Sequence, residues 1–135
     1  MQQVDSLQPV TTAILQVRSW EDANLPMEQS TLAFDLISLV THKTIHGQPI
    51  SLKHLFISLN YSEAGIRKQL RRCINEQWLR LADSRSDGRV RLVIAEPKLV
   101  ALFHEYGELL RNAYTMSATP AITQASNQPD NTPIE

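Results

Sequence analysis

Four basic side chains fall within six positions of the segment SEAGIRKQLRRC, residues 62–73: Arg67, Lys68, Arg71 and Arg72. A guanidinium presents five donors in a planar fork that fits phosphate oxygens and the acceptor edge of guanine, and an ammonium adds a mobile point charge. A second group of arginines follows in SRSDGRVR, where Arg85, Arg89 and Arg91 surround Asp87 and Gly88. The chemistry open to these residues is recognition of a polyanion. Net charge does not announce it, because the 135 residues sum to -1. Distribution does. Positions 53–91 hold nine basic and four acidic residues, a net of +5, whereas the remainder holds four and ten, a net of -6. A basic segment between acidic flanks is an electrostatic footprint of nucleic-acid binding.

Such residues act only if a rigid element carries them. Ile66, Leu70, Cys73 and Ile74 fall at i, i+4, i+7 and i+8, one apolar helical stripe, and leave Arg67, Lys68, Arg71, Arg72 and Asn75 outside it. Ser62 suits the cap of this helix, and Glu63 suits its first turn, where the helix dipole favours a carboxylate. Upstream, SLKHLFISL predicts a short helix capped by Ser51 that buries Leu52, Leu55, Phe56 and Leu59. Asn60-Tyr61 supplies the break between the two, with Asn60 expected in the left-handed conformation. Two helices joined by so short a turn, the second basic on its outer side, form a helix-turn-helix pattern.

Downstream, WLRLADSRSDGRVRLVIA predicts a strand with Trp78, Leu79 and Leu81, a polar tip, and a return strand. In the return strand Val90, Leu92 and Ile94 are expected on one side, against Arg89, Arg91 and Val93 on the other, and Asp87-Gly88 is a hairpin signal. The expected architecture is therefore α+β, mainly α: a winged helix-turn-helix with a two-stranded β-wing. In it the helix enters the major groove of double-stranded DNA by its N-terminal end, so Ser62, Glu63, Arg67 and Lys68 are the candidates for bases. Arg71 and Arg72 divide between bases and phosphates, with Gln69 and Asn75 as further contacts. The cap is the leading role of Ser62. Arg89 suits the narrow, negative minor groove of A·T-rich DNA, with Arg85 and Arg91 beside it.

Residues 1–26 read as an arm, partly disordered, in which TTAILQVRSWEDAN could form a short helix or strand. The domain proper is expected over 27–116. It opens with a helix over 27–43, ended by Gly47 and Pro49, and closes with a helix over 97–116 that starts at Pro97. Apolar residues cover a wide arc of both end helices, more than a surface helix needs. Both are therefore expected to bury a second face in a homodimer. From 117 to 135 the composition is Ser, Thr, Pro, Asn and Gln without apolar period, which predicts a disordered tail.

Other classes find little support. No run of about 18 apolar residues exists, and no basic-then-apolar signal opens the chain, so neither a membrane nor a secretory route is expected. The single cysteine, Cys73, fits a reducing compartment and a core position, and the expected location is cytoplasmic, on the nucleoid. His42 and His46 lie at i, i+4 without a third ligand in view, so no metal and no cofactor is expected. No phosphate-cradling glycine loop, paired carboxylates or Ser/His/Asp arrangement suggests catalysis, and no catalytic residue is assigned.

The stretch 51–94 resembles the winged-helix domain of MarR-type bacterial transcriptional regulators. The resemblance rests on SLKHLFISL, on SEAGIRKQLRRCINEQWL and on the wing SDGRVRLV followed by a helix. In that family an Asp-x-Arg at the wing tip is typical, the Asp steadying an Arg that enters the minor groove; Asp87 and Arg89 match it. Departures are Gln77 where the family usually has Gly, Cys73 where Leu is frequent, and Ala95-Glu96 where Thr often precedes the last helix. The resemblance implies a sequence-specific, dimeric DNA-binding regulator of transcription. The residues alone leave two alternatives: a winged helix used for protein contact, and a plasmid or phage replication or partition factor. A small-molecule effector is compatible with the family and supported by no residue.

Overall fold

A computed structural model describes residues 2–117. The tail expected over 117–135 thus lies outside the described residues, save Ser117. The elements in chain order are α1 (Gln2–Asn24), α2 (Thr31–Ile45), β1 (Ile50–Ser51), α3 (Leu52–Ser58), α4 (Glu63–Asn75), β2 (Leu79–Asp83), β3 (Arg91–Ala95) and α5 (Pro97–Ser117). The chain divides into two compact units, Trp20–Tyr106 and the terminal segments Met1–Ser19 with Gly107 onward. The larger unit therefore starts earlier than the expected boundary at 27.

Its core is built from stripes visible in the sequence. Ala33, Leu36, Ile37 and Val40 of α2 are buried, and so are Leu55 of α3 and Ile66, Leu70 and Cys73 of α4. Fully burying one such aliphatic side chain contributes about 1.5–3 kcal/mol, so this cluster dominates the local energetics. Helix α2 begins at Thr31, not 27, because Ser30 caps it by accepting from Ala33 N at 3.1 Å. The preceding Glu28 and Gln29 turn through positive φ, 48° and 59°. Gly47 ends α2 at φ 74°, donating to Thr44 O at 3.1 Å, as its position predicted.

The sheet has three strands in the order β1-β3-β2, so the two-stranded wing is joined by the short extended segment after Pro49. Both pairings are antiparallel, with Ile50 and Leu81 opposite Val93 and Leu79 opposite Ala95. That register corrects the expected strand faces. Ile50, Leu79, Val93 and Ala95 are buried, while Leu92 and Ile94 are only half-buried. The core row of β3 is thus the Arg91, Val93, Ala95 parity, with Arg91 lying beyond the core at its wing end.

A second cluster surrounds Tyr106, whose ring stacks on Trp20 at 5.4 Å and meets Phe103 and Phe34 edge-on at 5.8 and 6.4 Å. Its hydroxyl donates to the buried carboxylate of Glu21.

Over the expected arm, α1 is helical from Gln2 to Asn24 with Pro9 inside it, and its part up to Ser19 belongs to the terminal unit. Thr11 Oγ1 donates within this helix to Leu7 O and Gln8 O, both at 3.1 Å. Leu7, Val10, Ile14 and Leu15 are exposed there, as is Leu110 on α5.

Candidate nucleic-acid interface

Helix α4 is fixed at both ends by local chemistry. Ser62 Oγ accepts from Gly65 N at 3.1 Å, the cap that its position predicted. At the other end Gln77 N donates to Ile74 O at 3.0 Å and Trp78 N to Cys73 O at 2.8 Å. These two bonds make a Schellman motif, which places Gln77 in the left-handed region at φ 65°. Ahead of α4, the turn is braced by Tyr61, whose hydroxyl donates to Asp35 Oδ2 on α2 at 2.8 Å. Tyr61's pKa is raised above the ordinary phenol value, first by that hydrogen bond and then by burial and the Asp35 charge. Asn60 does not adopt the left-handed conformation expected of it; among the described non-glycine residues only Glu28, Gln29 and Gln77 do.

The basic residues of α4 then separate by face. Lys68, Arg71 and Asn75 are exposed at i, i+3 and i+7, the side opposite Ile66, Leu70 and Cys73. Neither Lys68 nor Arg71 has an ion-pair partner among the described residues. Arg67 lies toward α3, with its guanidinium 4.6 Å from the centroid of the Phe56 ring. It also donates twice to Glu63 Oε2, at 3.0 and 2.7 Å, which orients the fork before any ligand arrives.

Arg72 departs from the outward position expected of it. Its side chain is only 16% exposed and donates to Pro26 O at 2.7 Å, Gln69 Oε1 at 3.0 Å and Glu76 Oε1 at 3.0 Å. It ties the turn between α1 and α2 to α4, and Gln69 is half-buried as its partner. Arg72 and Gln69 thus brace α4 against that turn. Arg72 Nη2 also approaches Cys73 Sγ at 3.7 Å. Burial pushes the Cys73 thiol up to about 11, and the Arg72 charge offsets that only in part. A neutral thiol so placed is a core group.

The wing tip spans seven residues, closed by Ser84 N donating to Val90 O at 2.9 Å. The hairpin that Asp87-Gly88 signalled is present: Val90 N donates to Asp87 O at 2.9 Å, closing a turn across Gly88 and Arg89. Asp87 also serves Arg89: its Oδ1 accepts from Arg89 N at 3.0 Å and from Arg89 Nε at 3.3 Å. Arg89 itself is 93% exposed. Arg85 is exposed without an ion pair among the described residues, and Arg91 pairs with Asp83 at 3.3 Å.

Helix and wing open on one groove of about 640 Å3, lined by Ser51, Lys53, His54 and Phe56 beside Arg67, Arg89 and Arg91. Arg67 of α4 thus lines one groove with Arg89 and Arg91 of the wing. Lys53 and His54 were missed in the sequence, although both lie off the Leu52, Leu55, Phe56 stripe of a short helix next to basic elements. His42 and His46 are in ring contact, 4.3 Å between centroids. No cluster of three metal-ligating side chains occurs among the described residues. No helix among them is long and apolar enough to cross a membrane.

Two helices joined by a tight turn, followed by a hairpin that lines one groove with them, define a winged helix-turn-helix. More particularly, the fold is that of MarR-family regulators. A DNA complex of MepR from S. aureus superposes with TM-score 0.64 at 7% identity, over 90% of each chain. AbsC, a MarR family transcriptional regulator from Streptomyces coelicolor, gives 0.53 at 12% identity, over 93% of this chain and 84% of its own. Sco3205 of the same family and organism, in complex with DNA, gives 0.52 at 12% identity, over 92% and 78%. No protein-family model and no curated protein matches the chain.

Proposed function

We propose that this chain is a sequence-specific regulator of transcription that binds double-stranded DNA as a homodimer. Helix α4 enters the major groove, with Lys68, Arg71 and Asn75 toward bases and phosphates and Arg67 at the rim. Arg89, steadied by Asp87, enters the adjacent minor groove, and Arg85 and Arg91 meet the backbone. The observation that carries this reading is the common groove: α4 contributes Arg67 and the wing contributes Arg89 and Arg91 to one basic cleft. It is supported by the fold it shares with MepR and Sco3205, each of which has been crystallised with DNA.

Salt titration tests the reading. If about four to six phosphates are neutralised, log affinity for duplex DNA falls linearly with log salt at a slope of about -4 to -5. Arg89→Ala removes one contact from each subunit and so reduces the homodimer's slope by about two. A flat salt profile, or no binding at low salt, overturns the reading and favours an acidic protein as the partner of the basic face.

A further inference from the structure

The groove contains two side chains that the major- and minor-groove contacts leave unused, Lys53 and His54 at the start of α3. Both are exposed. His54 also borders an adjoining depression of about 300 Å3, lined by Lys43 of α2 with Gln48, Pro49 and Ser58. The fully charged side chains that line the two depressions are all cations: Lys43, Lys53, Arg67, Arg89 and Arg91. The carboxylates around them are engaged, Glu63 by Arg67, Asp87 by Arg89 and Asp83 by Arg91.

The ring of His54 is already positioned. Its Nδ1 lies 3.0 Å from Ser51 Oγ, and the same oxygen accepts from the His54 backbone N at 3.1 Å. As an imidazolium, both ring nitrogens donate. Nδ1–H then serves Ser51, and Nε2–H remains for a ligand.

Resting on the DNA reading above, we propose that this groove takes a run of the DNA sugar-phosphate strand and that Lys53 and His54 contact its phosphates, His54 as the imidazolium. Phosphates laid in a cleft walled by Lys53, Arg67, Arg89 and Arg91 bring the opposite charge that favours a protonated ring. Imidazole is also the side chain whose charge changes between about pH 5 and 8. Association therefore takes up a proton at His54. The sign follows: the complex holds more protons than its parts, so affinity is highest at low pH and falls as pH rises. One linked proton gives up to about a tenfold loss per pH unit.

The test measures affinity of the full chain for one duplex at fixed salt, from about pH 5.5 to 8.5, with His54→Gln and His54→Lys alongside. The wild type is expected to lose about tenfold or more across the range. His54→Gln is expected to be weak and flat, and His54→Lys tight and flat, because lysine keeps its charge throughout. Thermal melts accompany each variant, and should the Gln variant not fold, the Lys variant alone still decides. A wild type that binds with pH-independent affinity, or a variant that keeps the wild-type slope, overturns the assignment while the DNA reading stands. Absence of salt-sensitive binding by all three proteins at any pH sinks both. Lys53→Ala adds a second readout: the homodimer's salt slope falls by about two at every pH, one contact per subunit, and an unchanged slope removes Lys53 from the strand contact.

Discussion

Arg71 and Arg72 are neighbours in the chain with opposite surroundings. Arg71 is exposed and free of ion pairs among the described residues, whereas Arg72 holds Pro26, Gln69 and Glu76. Their alanine variants should therefore fail differently. Arg71→Ala is expected to weaken duplex binding about tenfold, or about 1.4 kcal/mol, with an unchanged melting temperature. Arg72→Ala leaves the Pro26 carbonyl and the Gln69 amide without their charged donor, at a cost of about 1–3 kcal/mol. For a domain of this size that lowers the melting temperature by about 4–8 °C per kcal/mol. Calorimetry and a binding assay on both variants check this, and equal melting temperatures would return Arg72 to the DNA-facing set. The inward turn of Arg72 was not legible in the sequence. Helical spacing puts it off the apolar stripe, and the partner that draws it in, Pro26, is 46 positions away.

At the scale of elements, helix caps and apolar stripes were legible in the sequence. Ser51 and Ser62 cap their helices, and the Ile66, Leu70, Cys73 stripe is buried, because cap and period are encoded within a few residues. The faces of β3 were not legible. From Leu92 to Ala95 both alternating rows are apolar, so only pairing with Ile50 and Leu79 decides which row enters the core. Helix α1 was obscured by Pro9 and a polar start, which outweighed the i, i+3, i+7 period of Leu7, Val10 and Ile14. Gln77 is the instructive residue at a helix C′ position. Its φ of 65° meets the Schellman geometry with a side chain where glycine is usual. A non-glycine residue pays a steric penalty there, partly offset because glycine has the more flexible unfolded chain. Gln77→Gly is therefore expected to stabilise the fold by about 0.5–1 kcal/mol. Denaturant unfolding checks it, and a destabilised variant would mean that the Gln77 side chain makes a contribution outweighing its backbone strain.

For the whole molecule, the outstanding matter is what covers its apolar surface. The dimer was expected through helices over 27–43 and 97–116. Helix α2, however, spends Leu36, Ile37 and Val40 on the core of its own unit. Among the described residues the large apolar side chains left in water are Leu7, Val10, Ile14 and Leu15 on α1, Leu110 on α5, Ile45 at the end of α2 and Ile57 on α3. Five of these seven, all but Ile45 and Ile57, belong to the unit formed by the two ends of the chain. Clustered exposure of this kind marks an interaction surface. In the DNA reading the occupant is a second copy, because two basic faces related by a two-fold axis can read half-sites about 34–36 Å apart. The two-fold also makes the surface self-complementary, so a charge introduced on one copy meets its like on the other. Ile14→Asp with Leu15→Asp is accordingly expected to give monomers by sedimentation at concentrations where the wild type is dimeric. The same variant should lose most of its affinity for a palindromic duplex and little of its affinity for a single half-site, since the groove proposed to take one strand is intact in each copy. A double variant that still sediments as a dimer would move the subunit contact away from α1, and a wild type that sediments as a monomer would remove the symmetric operator from the reading.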